Sequence, residues 1–208
     1  MDKIVLLTAE NILTTGMLEP ISLKVEPQQV WMLTGPSGSG KTRFLKALAD
    51  LIPHSGQAWL NGQDQQTVCP EHWRQKVMYF SADTAWWSDT VIEHFETEPE
   101  ESLLQSIGLS TAILKRHPDN CSSGEKQRLA LLRGLALNPE ILLLDEITAN
   151  LDENRTLQVE QLVKDYISAE NSKQQCAIIW VSHDQIQCQR LTDKDQILYI
   201  NLPEGVLN

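Results

Sequence analysis

The sequence predicts an α/β fold built on a mixed, mainly parallel sheet. Three observations carry that expectation. Val30-Trp31-Met32-Leu33 is a short apolar run that leads into a glycine-rich loop, and Arg43-Phe44-Leu45-Lys46-Ala47-Leu48 behind the loop reads as a helix. Ile141-Leu142-Leu143-Leu144 and Ala177-Ile178-Ile179-Trp180-Val181 are continuous apolar runs of strand length. Strands buried on both faces of a parallel sheet look like this. Ile21-Ser22-Leu23-Lys24-Val25 instead alternates, as a half-exposed strand of a separate N-terminal sheet should.

Taken in order, the first expected strand is Ile4 to Leu7, followed by Ile21–Val25. Glu26-Pro27-Gln28-Gln29 turns the chain into Val30–Leu33. Pro53-His54-Ser55-Gly56 breaks the pattern after the first helix, and Gln57-Ala58-Trp59-Leu60 reads as a strand closed by an Asn61-Gly62 turn. Val77-Met78-Tyr79-Phe80 is a further strand. From Ala82 to about Asn120 the character changes. Glu96, Glu98, Glu100 and Glu101 crowd together, the simplest reading being a solvated face, and Ser102 to Ile107 reads as a helix stopped by Gly108. A helix from Glu125 to Leu137 follows, with Leu129, Leu132 and Leu135 on its apolar positions and Pro139 beyond it. Thr156 to Tyr166 is amphipathic, and Ile197-Leu198-Tyr199-Ile200 is the last expected strand. The expected organisation is one domain over residues 1–208. Its core is residues 1–81 and 138–208, with a small helical insert at residues 82–137.

The loop itself, Gly35-Pro36-Ser37-Gly38-Ser39-Gly40-Lys41-Thr42, fits G-x-x-x-x-G-K-[ST] in the strand–loop–helix context that this phosphate-binding motif requires. Glycines let the backbone wrap an anion with successive N–H groups turned inward, and the helix N-terminus adds partial positive charge. Lys41 is expected to reach the β- and γ-phosphates of a nucleotide, and the Thr42 hydroxyl to ligate Mg²⁺. Asp145 and Glu146 close the apolar strand Ile141–Leu144, where ligands of open α/β sheets bind. Asp145 is expected to hold Mg²⁺, largely through water, and Glu146 to polarise the attacking water. Taken alone, an Asp-Glu pair after four apolar residues simply ends a strand; the phosphate loop gives it a function. His183 lies just past Ala177–Val181 and is expected to bond a γ-phosphate oxygen and orient the water, against the plainer role of a structural hydrogen-bonder.

Composition narrows the partners. Of 208 residues 41% are hydrophobic and the net charge is −11, which disfavours general binding to a nucleic-acid backbone. No segment has the length and apolarity of a membrane span, and the first ten residues lack the pattern of a signal peptide. The four cysteines, Cys69, Cys121, Cys176 and Cys188, form no C-x-x-C pair, which suits a reduced cytoplasmic protein.

Cys121-Ser122-Ser123-Gly124-Glu125-Lys126-Gln127-Arg128 resembles the LSGGQ signature of the nucleotide-binding subunits of ABC transporters, and Asn150-Leu151-Asp152 resembles their D-loop. With Lys41, Asp145, Glu146 and His183 in matching places, the resemblance covers almost the whole chain. Trp73-Arg74-Gln75, Asp145-Glu146-Ile147-Thr148-Ala149 and the short helical lobe look most similar to bacterial iron-efflux type ATPases. The resemblance implies a P-loop NTPase with an antiparallel β subdomain and a small helical subdomain. It implies ATP and Mg²⁺ as cofactors, and a homodimer that sandwiches two ATP molecules. It also implies a separate integral membrane permease, on whose cytoplasmic side the subunit sits. It extends the nucleotide-contacting set to Ser122, Ser123, Gly124 and Glu125 of one copy, facing the ATP of the other, with Asp152 at the seam.

The chain departs from the family pattern in three places. Cys121 and Ser123 stand where Leu and Gly are usual in the signature. The stretch expected to supply an adenine-stacking aromatic is Asn11-Ile12-Leu13-Thr14, which has none. The Gln that ordinarily follows the strand Val77–Phe80 is Ala82, and Asp83 next to it reads as a solvated loop residue or, alternatively, as a substitute near Mg²⁺.

Overall fold

The computed structural model describes residues 4–168, 175–192 and 196–200. In chain order the first elements are β1 (Leu7–Leu13), β2 (Ile21–Val25), β3 (Val30–Thr34), α1 (Lys41–Leu48), β4 (Ser55–Leu60), β5 (Gln63–Asp64), α2 (Pro70–Lys76) and β6 (Val77–Ser81). Then come α3 (Glu101–Ser106), α4 (Ser123–Leu135), β7 (Ile141–Asp145), α5 (Glu153–Ser168), β8 (Ala177–Val181), α6 (Gln185–Leu191) and β9 (Ile197–Tyr199). Two units gather by contact: Met1–Tyr79 with Pro139–Glu146 and Glu170–Asn208, and Phe80–Asn138 with Ile147–Ala169.

The first unit holds two sheets. One has the order β2-β1-β4-β5, with antiparallel pairing throughout. The other has the order β6-β7-β8-β3-β9, in which β7–β8, β8–β3 and β3–β9 are parallel. Every residue of β7 and of β8 is buried, as expected of central parallel strands. Helix α1 packs against both β1 and β7. It buries Phe44, Leu45, Ala47 and Leu48 completely, among Leu7, Val25, Ile141, Leu143 and Ile179. The last carbonyls of a helix need partners. Here Gln65 Nε2 donates to Ala47 O and Leu48 O (both 3.2 Å), and Trp73 Nε1 donates to Leu48 O (2.8 Å).

The first strand is not where the sequence suggested. The run Ile4 to Leu7 only enters it, and β1 continues to Leu13. Its register slips between Ala9 and Ile12, where Asn11 takes φ 53° and donates its N–H to Ser22 Oγ at 2.9 Å. An extra residue at such a bulge breaks the alternation that would have marked the strand. The Asn61-Gly62 turn has φ 51° and 76°, the two positive values of a type I′ hairpin.

In the second unit, α3 ends at Ser106, with Ile107 as its C-cap before Gly108, whose φ is 67°. A Cβ at Gly108 would collide with the guanidinium of Arg155. Between Ser81 and α3 the chain is mostly irregular. Trp86 and Trp87 flank the Arg133 guanidinium at 4.8 and 4.9 Å. Both rings meet His94 edge-on at 4.8 and 4.7 Å. His94 Nε2 accepts from the N–H groups of Trp87 and Ser88 (2.9 and 3.1 Å) while Nδ1 donates to Thr90 O (3.0 Å). One neutral imidazole thus fixes the loop in place of a helix.

Candidate active site

The phosphate loop links β3 to α1. Gly35 has φ 139°, and a Cβ there would run into the carbonyl of Ile200. Gly40, with φ 98°, is the N-cap of α1, and a Cβ would stand 2.7 Å from Met17 Cγ. The surrounding fold therefore needs glycine at both positions. Lys41 is 5% exposed and donates from Nζ to Gly35 O (2.9 Å) and Pro36 O (2.8 Å). Burial pushes its ammonium below the usual lysine range, and the carboxylates of Glu146 and Asp145 push it back up. Ser39 Oγ is buried with no hydrogen-bond partner, while Ser37 and Gly38 are exposed at the loop's tip.

Two strand ends meet this loop. Asp145 is the last residue of β7 and is 8% exposed. Its Oδ1 accepts from Thr42 Oγ1 (3.2 Å) and its Oδ2 from the Tyr79 hydroxyl (2.6 Å). Glu146 follows with φ 53°, a left-handed backbone that few glutamates adopt, and its N–H donates to Val181 O (3.2 Å). That turn brings its Oε1 within 3.0 Å of His183 Nε2. A carboxylate only accepts, so His183 Nε2 carries a proton. Lys41, Thr42, Asp145, Glu146 and His183 thus stand together in the first unit.

A cavity of about 510 Å³ opens over Lys41, Thr42, Glu146 and His183. Ser37, Gly38, Gly40, Lys41, Thr42, Glu146 and His183 line it. Gly16, Arg43, Lys46 and Ile52 line it too, and sequence reasoning missed them. Arg43 and Lys46 had a signal, because they lie one turn apart on the helix that begins at Lys41. Gly16 and Ile52 had none, since folding alone brings them there. Asn11, Ile12, Leu13 and Thr14 do not line the cavity; the first three belong to β1. Tyr79 was also missed as a partner of Asp145. The Lys46 ammonium lies 5.6 Å from its ring centre.

The signature residues open α4 in the second unit. Ser122 is the N-cap: its Oγ accepts from Glu125 N–H (3.3 Å), and Glu125 Oε2 accepts from Ser122 N–H (2.7 Å). This reciprocal cap occupies the Glu125 carboxylate, and the Ser122 N–H holds it below its ordinary range. Ser122 and Ser123 are exposed, and Cys121 is buried with its thiol pushed up by burial. A Cβ at Gly124 would stand 2.9 Å from Leu151 Cδ2. Asp152 Oδ1 accepts from Arg155 N–H (2.9 Å) at the start of α5. Asp83 is exposed, and its N–H donates to Ser81 Oγ (3.0 Å).

A family model described as ABC transporter matches residues 18–149. The chain belongs to the ABC transporter family. It is an ABC ATPase that binds ATP. The chain is 34% identical over 181 residues to the "Probable iron export ATP-binding protein FetA" of Escherichia coli (strain K12), covering 81% of this chain and 79% of that protein. It is 32% identical over 208 residues to the "Phosphate import ATP-binding protein PstB" of Aeropyrum pernix, covering 88% and 81% respectively. Its fold matches a dimeric, post-hydrolysis structure of the ATP-binding cassette MJ0796 bound to ADP and Pi. The TM-score is 0.76 and the identity 20%, over 95% of this chain and 96% of that one. The phosphate loop, Asp145 and Glu146 all fall inside the matched segment, and His183 lies beyond it. No helix among the described residues is long and apolar enough to cross a membrane.

Proposed function

We propose that this ABC ATPase is the motor subunit of a transporter, in which two copies close around two ATP molecules and drive a separate integral membrane permease. The observation that carries the reading is the meeting of Lys41, Thr42, Glu146 and His183 around one cavity, with Asp145 bonded to Thr42 behind them. Mg²⁺ fits the donor set. Thr42 Oγ1 and Asp145 Oδ1 are paired hard oxygens, and this ion takes few protein ligands beside phosphates and water. It would neutralise charge on the phosphate oxygens. Ser39 Oγ, buried without a partner, gives the loop one more donor for an anion.

Within that frame the chain's residues divide the work. The loop from Gly35 to Thr42, with Pro36, Ser37, Gly38, Ser39 and Gly40, presents its backbone N–H groups to the phosphates. Lys41 exchanges the carbonyls of Gly35 and Pro36 for phosphate oxygens. Glu146 takes a proton from the attacking water, and His183 holds that carboxylate by its Nε2 proton while facing the γ-phosphate. Tyr79 pins Asp145. Ser122, Ser123 and Gly124 of the other copy offer donors at a helix N-terminus. Glu125 serves by fixing that helix start, because its own carboxylate would repel a phosphate. Asp152 caps the neighbouring helix at the seam between copies. The acidic subunit is expected to sit on the cytoplasmic face of the membrane through its permease and not on nucleic acid.

Metal export, with iron as cargo, is the transport reading to test first, on the strength of the similarity to FetA over 81% of the chain. The test pairs steady-state ATPase activity with deletion of the chain in cells under iron load. Iron accumulation in the deletion strain, reversed by the wild type and not by Glu146→Gln, supports export. Unchanged iron content overturns the cargo and leaves the ATPase standing.

A further inference from the structure

We propose that Arg43 forms the platform for the nucleotide base, giving affinity without strong preference between bases. This inference rests on the reading of the cavity as the nucleotide site. Lys41, Thr42, Glu146 and His183 mark the phosphate end of the cavity. Ser37, Gly38 and Gly40 of the phosphate loop join that end, and Gly16, Arg43, Lys46 and Ile52 supply the remaining wall. No Phe, Tyr or Trp lines the cavity, and the one ring on its wall, His183, is paired with Glu146 at the phosphate end.

A base needs a flat, polarisable surface, and the guanidinium of arginine is planar and stacks on π-systems. Arg43 is exposed and makes no hydrogen bond or ion pair among the described residues. Its side chain lies on the backbone of Gly16. A Cβ at Gly16 would stand 2.6 Å from Arg43 Nε, 3.0 Å from Cδ and 3.1 Å from Cζ. Gly16, at φ 86°, therefore supports the guanidinium from one side while leaving it open to the cavity. Lys46, the other cation on this wall, is directed to the ring of Tyr79 instead. Ile52 adds apolar surface for the edge of a base. Every base has a π-face, so such a platform tolerates ATP and GTP alike.

Titration calorimetry of the full chain with ATP, GTP and inorganic tripolyphosphate tests this. Arg43→Ala is expected to weaken ATP and GTP about tenfold and leave tripolyphosphate unchanged, as stacking free energies of this kind imply. Arg43→Trp is expected to restore the nucleotide affinity. Equal losses for all three ligands would make Arg43 a phosphate cation and overturn the inference, as would no loss for any. A wild-type chain that binds neither ATP nor tripolyphosphate would instead overturn the nucleotide reading of the cavity, and the inference with it. Arg43 is exposed, so Arg43→Ala is expected to melt as the wild type does.

Discussion

Glu146 combines a left-handed backbone, φ 53°, with a 3.0 Å contact to His183. Such a conformation costs of order 1 kcal/mol or more and survives where neighbours over-determine it. Here the Glu146 N–H is tied to Val181 O. The strained turn aims the carboxylate into the cavity. Glu146→Gln keeps the shape and removes the base. ATP binding should persist while turnover falls by about 100-fold or more. Lys41→Ala should weaken ATP binding about 10- to 100-fold in an equilibrium titration, through loss of a charge-assisted contact. Unchanged affinity would remove Lys41 from the site. Tyr79→Phe removes the hydroxyl that makes the 2.6 Å bond to Asp145. It should raise the Mg²⁺ concentration for half-maximal ATPase activity a few-fold, by loosening the carboxylate paired with Thr42. An identical Mg²⁺ curve would make Tyr79 a bystander. The motif residues were legible in the sequence because each sits at a fixed spacing from its own strand. Tyr79 was not, since only the pairing of strands in the sheet brings it to Asp145.

At the scale of elements, the start of α4 carries a second set of expectations. Ser122 and Glu125 satisfy each other's backbone N–H, and Ser122→Ala should cost about 1 kcal/mol in urea unfolding. The Glu125 carboxylate is held below its ordinary range by the Ser122 N–H. A depressed carboxylate stabilises the fold above its unfolded-state value and loses that contribution as pH falls through the folded one. The urea midpoint of Glu125→Ala should therefore lie below wild type at pH 7, and the gap should narrow on acidification towards pH 3. A gap constant with pH would assign the effect to packing. Sequence reading was sound for β2, β7 and β8, because alternation or continuous burial is visible in a single run. It missed α2 and α6, each of seven residues. Helices that short are set by what they touch. Trp73 anchors α2 through its buried indole, and Asp184 Oδ1 caps α6 by accepting from Ile186 and Gln187 N–H. It also misplaced β1, whose bulge at Asn11 hid the period.

For the whole molecule, the account depends on chemistry split between copies. In the proposed dimer one copy offers Lys41, Asp145, Glu146 and His183, and the other offers the α4 start at Ser122–Gly124. Family membership was legible because the phosphate loop and the signature are local strings. The cavity's far wall was not, because Gly16 and Ile52 reach it only by folding. In the proposed dimer the net charge of −11 on each copy opposes association, and contacts made through ATP bound between the copies are expected to offset it. The most direct test is light scattering of Glu146→Gln across an ATP titration with Mg²⁺. The account predicts a rise to twice the monomer mass that is absent without ATP and absent in Glu146→Gln combined with Lys41→Ala. A Glu146→Gln protein that binds ATP at saturation and stays at monomer mass would contradict it.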